Sequence, residues 1–200
     1  MRNIVLLFAA SIAYSAVRYV VFAPKNLGNL PIFVVNKGLS MAAALCFALA
    51  FWQQWRRQRR GVTDGVEPAA WFRAGVFGAF VHVPMSLAIL RPGYFKEFFV
   101  GERLSFTGES VFLFGALTAG GIYLLGRSQW TPRQRWWLSL ATVAALFSHT
   151  LCMGIARGIH INRTHSYLPP MWMLGLLGIA FGAAFLLMSK PAAESAEREP

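Results

Sequence analysis

Residues 79–99, "AFVHVPMSLAILRPGYFKEFF", run an apolar segment through a histidine and a proline and then break into a basic, aromatic loop. An imidazole inside so apolar a segment needs a reason, because ionisable side chains deep in hydrocarbon face a cavity, a cofactor or each other. The rest of the chain decides whether hydrocarbon is the right solvent. Of its 200 residues 56% are hydrophobic and only 14% charged, with a mean hydropathy of +0.48. Those values lie outside the usual range of soluble domains and point to an all-α integral membrane protein. A formal charge of +11 would suit nucleic acid in a soluble chain. Here the arginines sit between apolar segments, so membrane lipids with anionic headgroups, and membrane orientation, explain them and no nucleic-acid partner is expected. Cys46 and Cys152 lie inside apolar runs without ligand-like spacing and read as packing residues.

Six apolar runs fit a six-helix transmembrane bundle, at about 20 residues per span. They cover about 3–23, 34–55, 70–90, 109–126, 135–158 and 168–188, and residues 190–200 form a polar tail expected to be disordered. The first run resembles a signal peptide, but Arg18 interrupts it and no small-x-small site follows, so it reads as a mature span. "SFTGES" at 105–110 starts the fourth run, with Thr107 as the expected cap and Glu109 in the first turn. Arg56, Arg57, Arg59 and Arg60 mark one loop as cytoplasmic, and Arg127, Arg133 and Arg135 mark another. Both termini are then cytoplasmic, in a multi-pass protein of a bacterial inner membrane. The loops at 24–34, 91–107 and 158–168 face outward. Pairing of every backbone polar group within the hydrocarbon leaves the helical bundle as the expected fold.

Counted from the cytoplasmic ends, His82 is roughly 18 Å and His149 roughly 21 Å deep. Residues at i−4 and i−7 share a helix face, and these are Gly78 and Gly75 for His82, Ala145 and Thr142 for His149. Small neighbours leave room for a flat ring, and they also serve plain helix packing. Pro84 removes a backbone donor beside the site. A porphyrin held edge-on between the third and fifth helices by two neutral imidazoles fits these features, and so does a pair of hydrogen-bonded packing histidines. A zinc site would want about four ligands, which this level lacks. Four cations, Arg18, Lys37, Arg91 and Arg157, fall near the outer helix ends against the positive-inside bias. Haem propionates, a quinone headgroup or a lipid phosphate would each suit them. His160 and His165 lie in or near the outer loop "GIHINRTHSYLPP" and read as solvated.

"FRAGVFGAFVHVPMSL" (72–87) paired with "RWWLSLATVAALFSHTLCMG" (135–154) resembles the third and fifth helices of the ferric reductase-like transmembrane domain. "HVPMSLAILRPGYFKEFF" through "LSFTGESVFLFG" is similar to small bacterial members made of the membrane domain alone, and the likeness spans roughly residues 34 to 185. That superfamily includes membrane ferric reductases, NADPH oxidases, the haem subunit serving periplasmic methionine sulfoxide reductase, and six-transmembrane metalloreductases. Many members place a second histidine 13 or 14 residues along each helix, for one haem per leaflet. Here those positions hold Pro68 or Ala69, Arg135 or Trp136, Phe95 or Lys96, and Asn162 or Arg163. The resemblance therefore implies one haem b, with His82 and His149 as ligands.

No stretch is long enough for a flavin or nicotinamide domain, and no G-x-G-x-x-G follows a strand-like segment. The expected function is electron transfer between quinol or a redox partner protein and an acceptor on the outer side, as an oxidoreductase component that needs its partner. Trp136 and Trp137 read as belt residues that also stand on an inner path. Two rival classes remain: a cofactor-free scaffold or anchor subunit of a larger complex, and a pigment-binding accessory subunit.

Overall fold

A computed structural model of the chain describes residues 1–22, 30–127, 129–156 and 168–189. Arg157, His160, His165, the 190–200 tail and most of the 24–34 and 158–168 loops lie outside the described residues.

Helix α1 (Arg2–Ala16) runs on into a π-helical turn, Val17–Val21, closed by the bond from Phe22 N to the Val17 carbonyl at 3.3 Å. Then follow α2 (Leu30–Arg60), α3 (Pro68–Ala88), α4 (Phe106–Leu125), α5 (Pro132–Ala156) and α6 (Met171–Met188). Pro68 and Pro132 open their helices at positions whose backbone N–H has no intrahelical partner anyway. The expected cap of α4, Thr107, is a correction: Ser105 caps it, its hydroxyl accepting from Gly108 N at 3.2 Å. Thr107 sits inside the first turn. Ser105 wins because its own N–H is tied to the Phe98 carbonyl at 2.8 Å, which fixes where the chain enters the helix.

The segment joining α3 to α4 departs from the expected irregular loop. It forms a single 3-10 turn (Lys96–Phe98) and a two-residue antiparallel ladder, β1 (Phe99–Val100) with β2 (Arg103–Leu104). Gly101, at φ +63, makes the turn between them, in the left-handed region that side chains with a Cβ avoid.

Five of these helices are long and apolar enough to cross a membrane, among the described residues: the first through Val21, then α2, α4, α5 and α6. Helix α3, about 31 Å long at 1.5 Å per residue, is diluted by Arg73, His82 and its prolines. Large apolar side chains face outward, including Phe77, Phe80, Phe112, Leu117, Leu177 and Phe181, while Ser11, Ser15, Asn36, Thr118, Ser139 and Thr142 are buried. This reversal of the soluble pattern is what a lipid solvent favours. The chain thus has the make-up of a multi-pass membrane protein.

Helix α2 lies at the centre, packed against α1, α3 and α6, and α5 joins α6 to α4. Close approach depends on missing side chains. A Cβ at Gly38 would meet the Ile12 Cα at 2.7 Å, and one at Gly182 would meet the Ala48 Cα at 2.8 Å. At one end of the bundle, the arginine end, Arg56 pairs with Asp64 at 3.2 Å and stacks over Trp52, and Arg60 stacks over Trp55. At the other, the hairpin end, Ile89, Phe95, Phe98 and Val111 form a buried cluster with Phe33, Cys152 and Met153 packed on it.

A candidate site of two histidines

Four residues on four helices share one level near the hairpin end. His82 lies six residues before the end of α3 and His149 seven before the end of α5, about 9 and 10 Å at 1.5 Å per residue. Asn36 is six residues into α2 and Val111 five into α4, which run the opposite way. The matched depth expected from the sequence therefore extends to the partners of both rings.

His82 Nδ1 lies 2.6 Å from Asn36 Oδ1 and 3.2 Å from the main-chain oxygen of Asn36. Asn36 Nδ2 donates to Ser86 Oγ at 3.0 Å, and Ser86 stands one turn beyond His82 on the same face of α3. His149 Nδ1 lies 2.8 Å from the Val111 carbonyl. A carbonyl oxygen only accepts, so in both neutral rings Nδ1 carries the proton and donates. Nε2 of each imidazole therefore carries the lone pair. That is the tautomer a metal-ligating histidine adopts, with its other nitrogen bonded to an acceptor behind it. At His82 the Ser86 hydroxyl oxygen stands 3.4 Å from both ring nitrogens.

The ring of His149 rests on α4 at Gly115, where a Cβ would stand 3.1 Å from Nδ1 and 3.2 Å from Cε1. Both histidines are half-buried. They interact electrostatically with each other, and each also with Lys37. Helices α3 and α5 do not pack closely on one another, since α3 is held by α2 and α5 by α4 and α6.

The other residues singled out in the sequence separate into groups. Lys37 is buried, with its Nζ 5.4 Å from the Phe33 ring and 5.6 Å from the Phe95 ring, next in sequence to the Asn36 that bonds His82. Arg18 is buried in the π-helical turn, donates from Nη1 to the Leu168 carbonyl, and leaves its Nε without a partner. Tyr14, one turn earlier, donates to the Pro169 carbonyl at 2.6 Å. Arg18 thus fastens α1 to the entry of α6. Arg91 is exposed and stacks over Tyr94 at 5.4 Å.

Gly75 seats the ring of Phe47, with a Cβ there 2.9 Å from its Cε1, and Gly78 seats Phe8 and Ala43. Both bring α3 close to α2 and α1, the packing use of small residues. Thr142 lies against Gly121 of α4 and bonds the Leu138 carbonyl at 2.7 Å, while Ala145 is half-buried on the turn between Thr142 and His149. Trp136 is buried and donates to the Leu186 carbonyl at 2.9 Å, and Trp137 is exposed beside it. Cys46 and Cys152 are free thiols.

Toward the arginine end the interior is filled by side chains of α2 to α5. An apolar void of about 20 Å³ remains there, lined among others by Phe47, Phe51, Phe72, Ile122 and Leu146. Space of that size holds about one water.

Asn36 and Ser86 are the site residues that sequence reading missed. The signals were present: an amide next to Lys37 within an apolar span, and a hydroxyl four residues after His82. Among the described residues no group of three or more His, Cys, Asp or Glu could hold a metal ion. No protein-family model matches the chain, and no curated protein matches it either.

Proposed function

We propose that the chain is a six-span cytochrome b-type electron-transfer protein of a bacterial inner membrane, with both termini cytoplasmic and one haem b between α3 and α5. The observation that carries this reading is the matched pair of imidazoles, each with Nδ1 bonded to a carbonyl oxygen and the lone pair left on Nε2. At His82 a bound iron would take the place of the Ser86 hydroxyl contact at 3.4 Å. Two imidazoles make only half of a tetrahedral zinc site. They are complete axial ligation for an iron already held by a macrocycle.

Haem iron so ligated supplies a one-electron couple. The chain's own part is to hold the rings. Asn36 and Val111 keep the two Nδ1 protons in place, and Gly115 gives His149 its seat on α4. Lys37, buried against Phe33 and Phe95 and next to Asn36 in α2, would offer positive charge to a propionate. Helix α3 serves as the sixth span, with His82 and Ser86 turned to the site. Electrons pass between quinol, or a partner protein, and an acceptor at the hairpin end, which faces outward in this reading because the arginines mark the other end as cytoplasmic.

A reduced-minus-oxidised absorption spectrum of the detergent-purified protein, with pyridine haemochromogen quantitation, tests the reading. A b-type spectrum near one haem per chain, lost in both His82→Ala and His149→Ala while the protein stays in the membrane, is expected. Full haem in both single variants, or a folded parent that stays colourless when grown with ample haem, overturns it. In the second case the pair returns to hydrogen-bonded packing in a scaffold subunit.

A further inference from the structure

We propose that Asn36 is a positioning residue that locks the proton of His82 on Nδ1 and thereby makes His82 the more electron-donating of the two imidazoles at Nε2. The electronic half rests on the axial-ligand reading above; the tautomer half does not.

Asn36 is 1% exposed, within the most buried of the membrane-length helices. A primary amide there is costly unless both of its ends are bonded. Its Oδ1 accepts from His82 Nδ1 at 2.6 Å and its Nδ2 donates to Ser86 Oγ at 3.0 Å. Rotating the amide by half a turn would put NH₂ against Nδ1, which would then have to be an acceptor. The main-chain oxygen of Asn36, at the longer distance of 3.2 Å from the same nitrogen, weighs against that without excluding it, because two lone pairs would face each other. The 2.6 Å side-chain bond is the contact that decides the tautomer. Backbone, amide and Ser86 hydroxyl therefore agree on one arrangement.

His149 lacks this arrangement. Its acceptor is one carbonyl, that of Val111, inside α4, where the helix ladder also uses such oxygens. His82 has a short bond to a side-chain carbonyl outside any ladder and a second acceptor behind it. A stronger bond from Nδ1–H raises the basicity of Nε2, and second-shell bonding of this kind tunes an iron potential.

The test uses the full chain in detergent, as parent, Asn36→Leu and Ser86→Ala. In haem-free protein with 15N-labelled histidine, the parent should show His82 as one tautomer, protonated on Nδ1. Asn36→Leu should show a mixture of tautomers, and Ser86→Ala a smaller admixture, since the amide loses the partner that orients it. In haem-loaded protein, potentiometric titration should give a higher midpoint for Asn36→Leu and a smaller rise for Ser86→Ala. Undivided Nδ1 protonation of His82 in Asn36→Leu overturns the tautomer half; should that variant not fold, the same result in Ser86→Ala overturns it. Tautomer mixing with an unchanged midpoint overturns the electronic half. A parent that folds but binds no haem overturns that half together with the ligand reading, and the nitrogen spectra still decide the tautomer.

Discussion

The ring of His149 and the bare backbone of Gly115 are in contact across α4 and α5: a Cβ at 115 would stand 3.1 Å from Nδ1 and 3.2 Å from Cε1. The glycine sits one turn from Val111, whose carbonyl holds that same Nδ1 at 2.8 Å. Seat and hydrogen bond thus come from one face of one helix. Replacing Gly115 by Ala gains up to about 1 kcal/mol of helix propensity, set against a displacement of the ring by a few tenths of an ångström. Stability of Gly115→Ala should therefore lie within about 1 kcal/mol of the parent, while Gly115→Leu should drive the ring off its acceptor. Bound haem per chain, measured against thermal unfolding of the same samples, checks this. Loss in Gly115→Leu with little change in Gly115→Ala is expected, and full haem in both would show that the seat is not needed.

A second close approach, Gly121 with Thr142, fixes the same two helices about two turns nearer the arginine end. A Cβ at Gly121 would collide with Thr142 Oγ1 and stand 3.0 Å from its Cβ and Cγ2. The Gly121→Ala variant should lose roughly 1–3 kcal/mol, the range for overpacking. The atoms in the way belong to one side chain, so Thr142→Ala in the same chain should recover most of the loss. A double-variant cycle on thermal or denaturant unfolding reads this coupling. Equal losses in the single and double variants would mean that the α4 and α5 backbones, rather than Thr142, set the spacing.

These contacts show where sequence reading reached and where it stopped. The helices were legible because an apolar run is read from length and hydropathy alone: the observed starts at Pro68 and Pro132 fall within three residues of those expected, and five of the six expected spans are long and apolar enough to cross a membrane. The placement of His82 and His149 near the same ends of α3 and α5 follows from a count along two helices. The α4 cap was not legible, since Ser105 and Thr107 are both good caps and a bond from the Phe98 hairpin chose between them. Asn36 was hidden similarly. Its partner is 46 residues away, and no local pattern distinguishes an amide that holds a ring from one that merely packs. Gly75 and Gly78 carry a third lesson, because periodicity placed them on a face with His82 without saying that Phe47 and Phe8 fill the space beside them.

At the arginine end Trp136 closes α5 on α6. Its Nε1 donates to the Leu186 carbonyl at 2.9 Å, two residues before the end of α6, where carbonyls lose their helical partners. Trp136→Phe keeps most of the apolar contact and removes the donor. A loss of about 0.5–1.5 kcal/mol is expected, with haem content and midpoint unchanged because the site lies at the other end. A changed midpoint in Trp136→Phe would instead place the indole on the electron path.

Lys37 and Arg18 are both buried cations, and their surroundings assign them different work. Lys37 stands within electrostatic reach of both imidazoles, between the rings of Phe33 and Phe95. Arg18 bonds the Leu168 carbonyl where α1 meets the entry to α6. Removing positive charge beside a redox centre disfavours the more electron-rich reduced form, so Lys37→Met should lower the midpoint potential of the bound haem. In Arg18→Met a charged hydrogen bond of about 1.5–3 kcal/mol is lost, offset by removal of an Nε that is buried without a partner. That variant should alter Tm modestly and leave the midpoint where it was. Potentiometric titration and thermal unfolding of both variants separate the two roles. On the proposed haem reading, a lower midpoint in Arg18→Met, with none in Lys37→Met, would assign a propionate partner to α1 rather than α2.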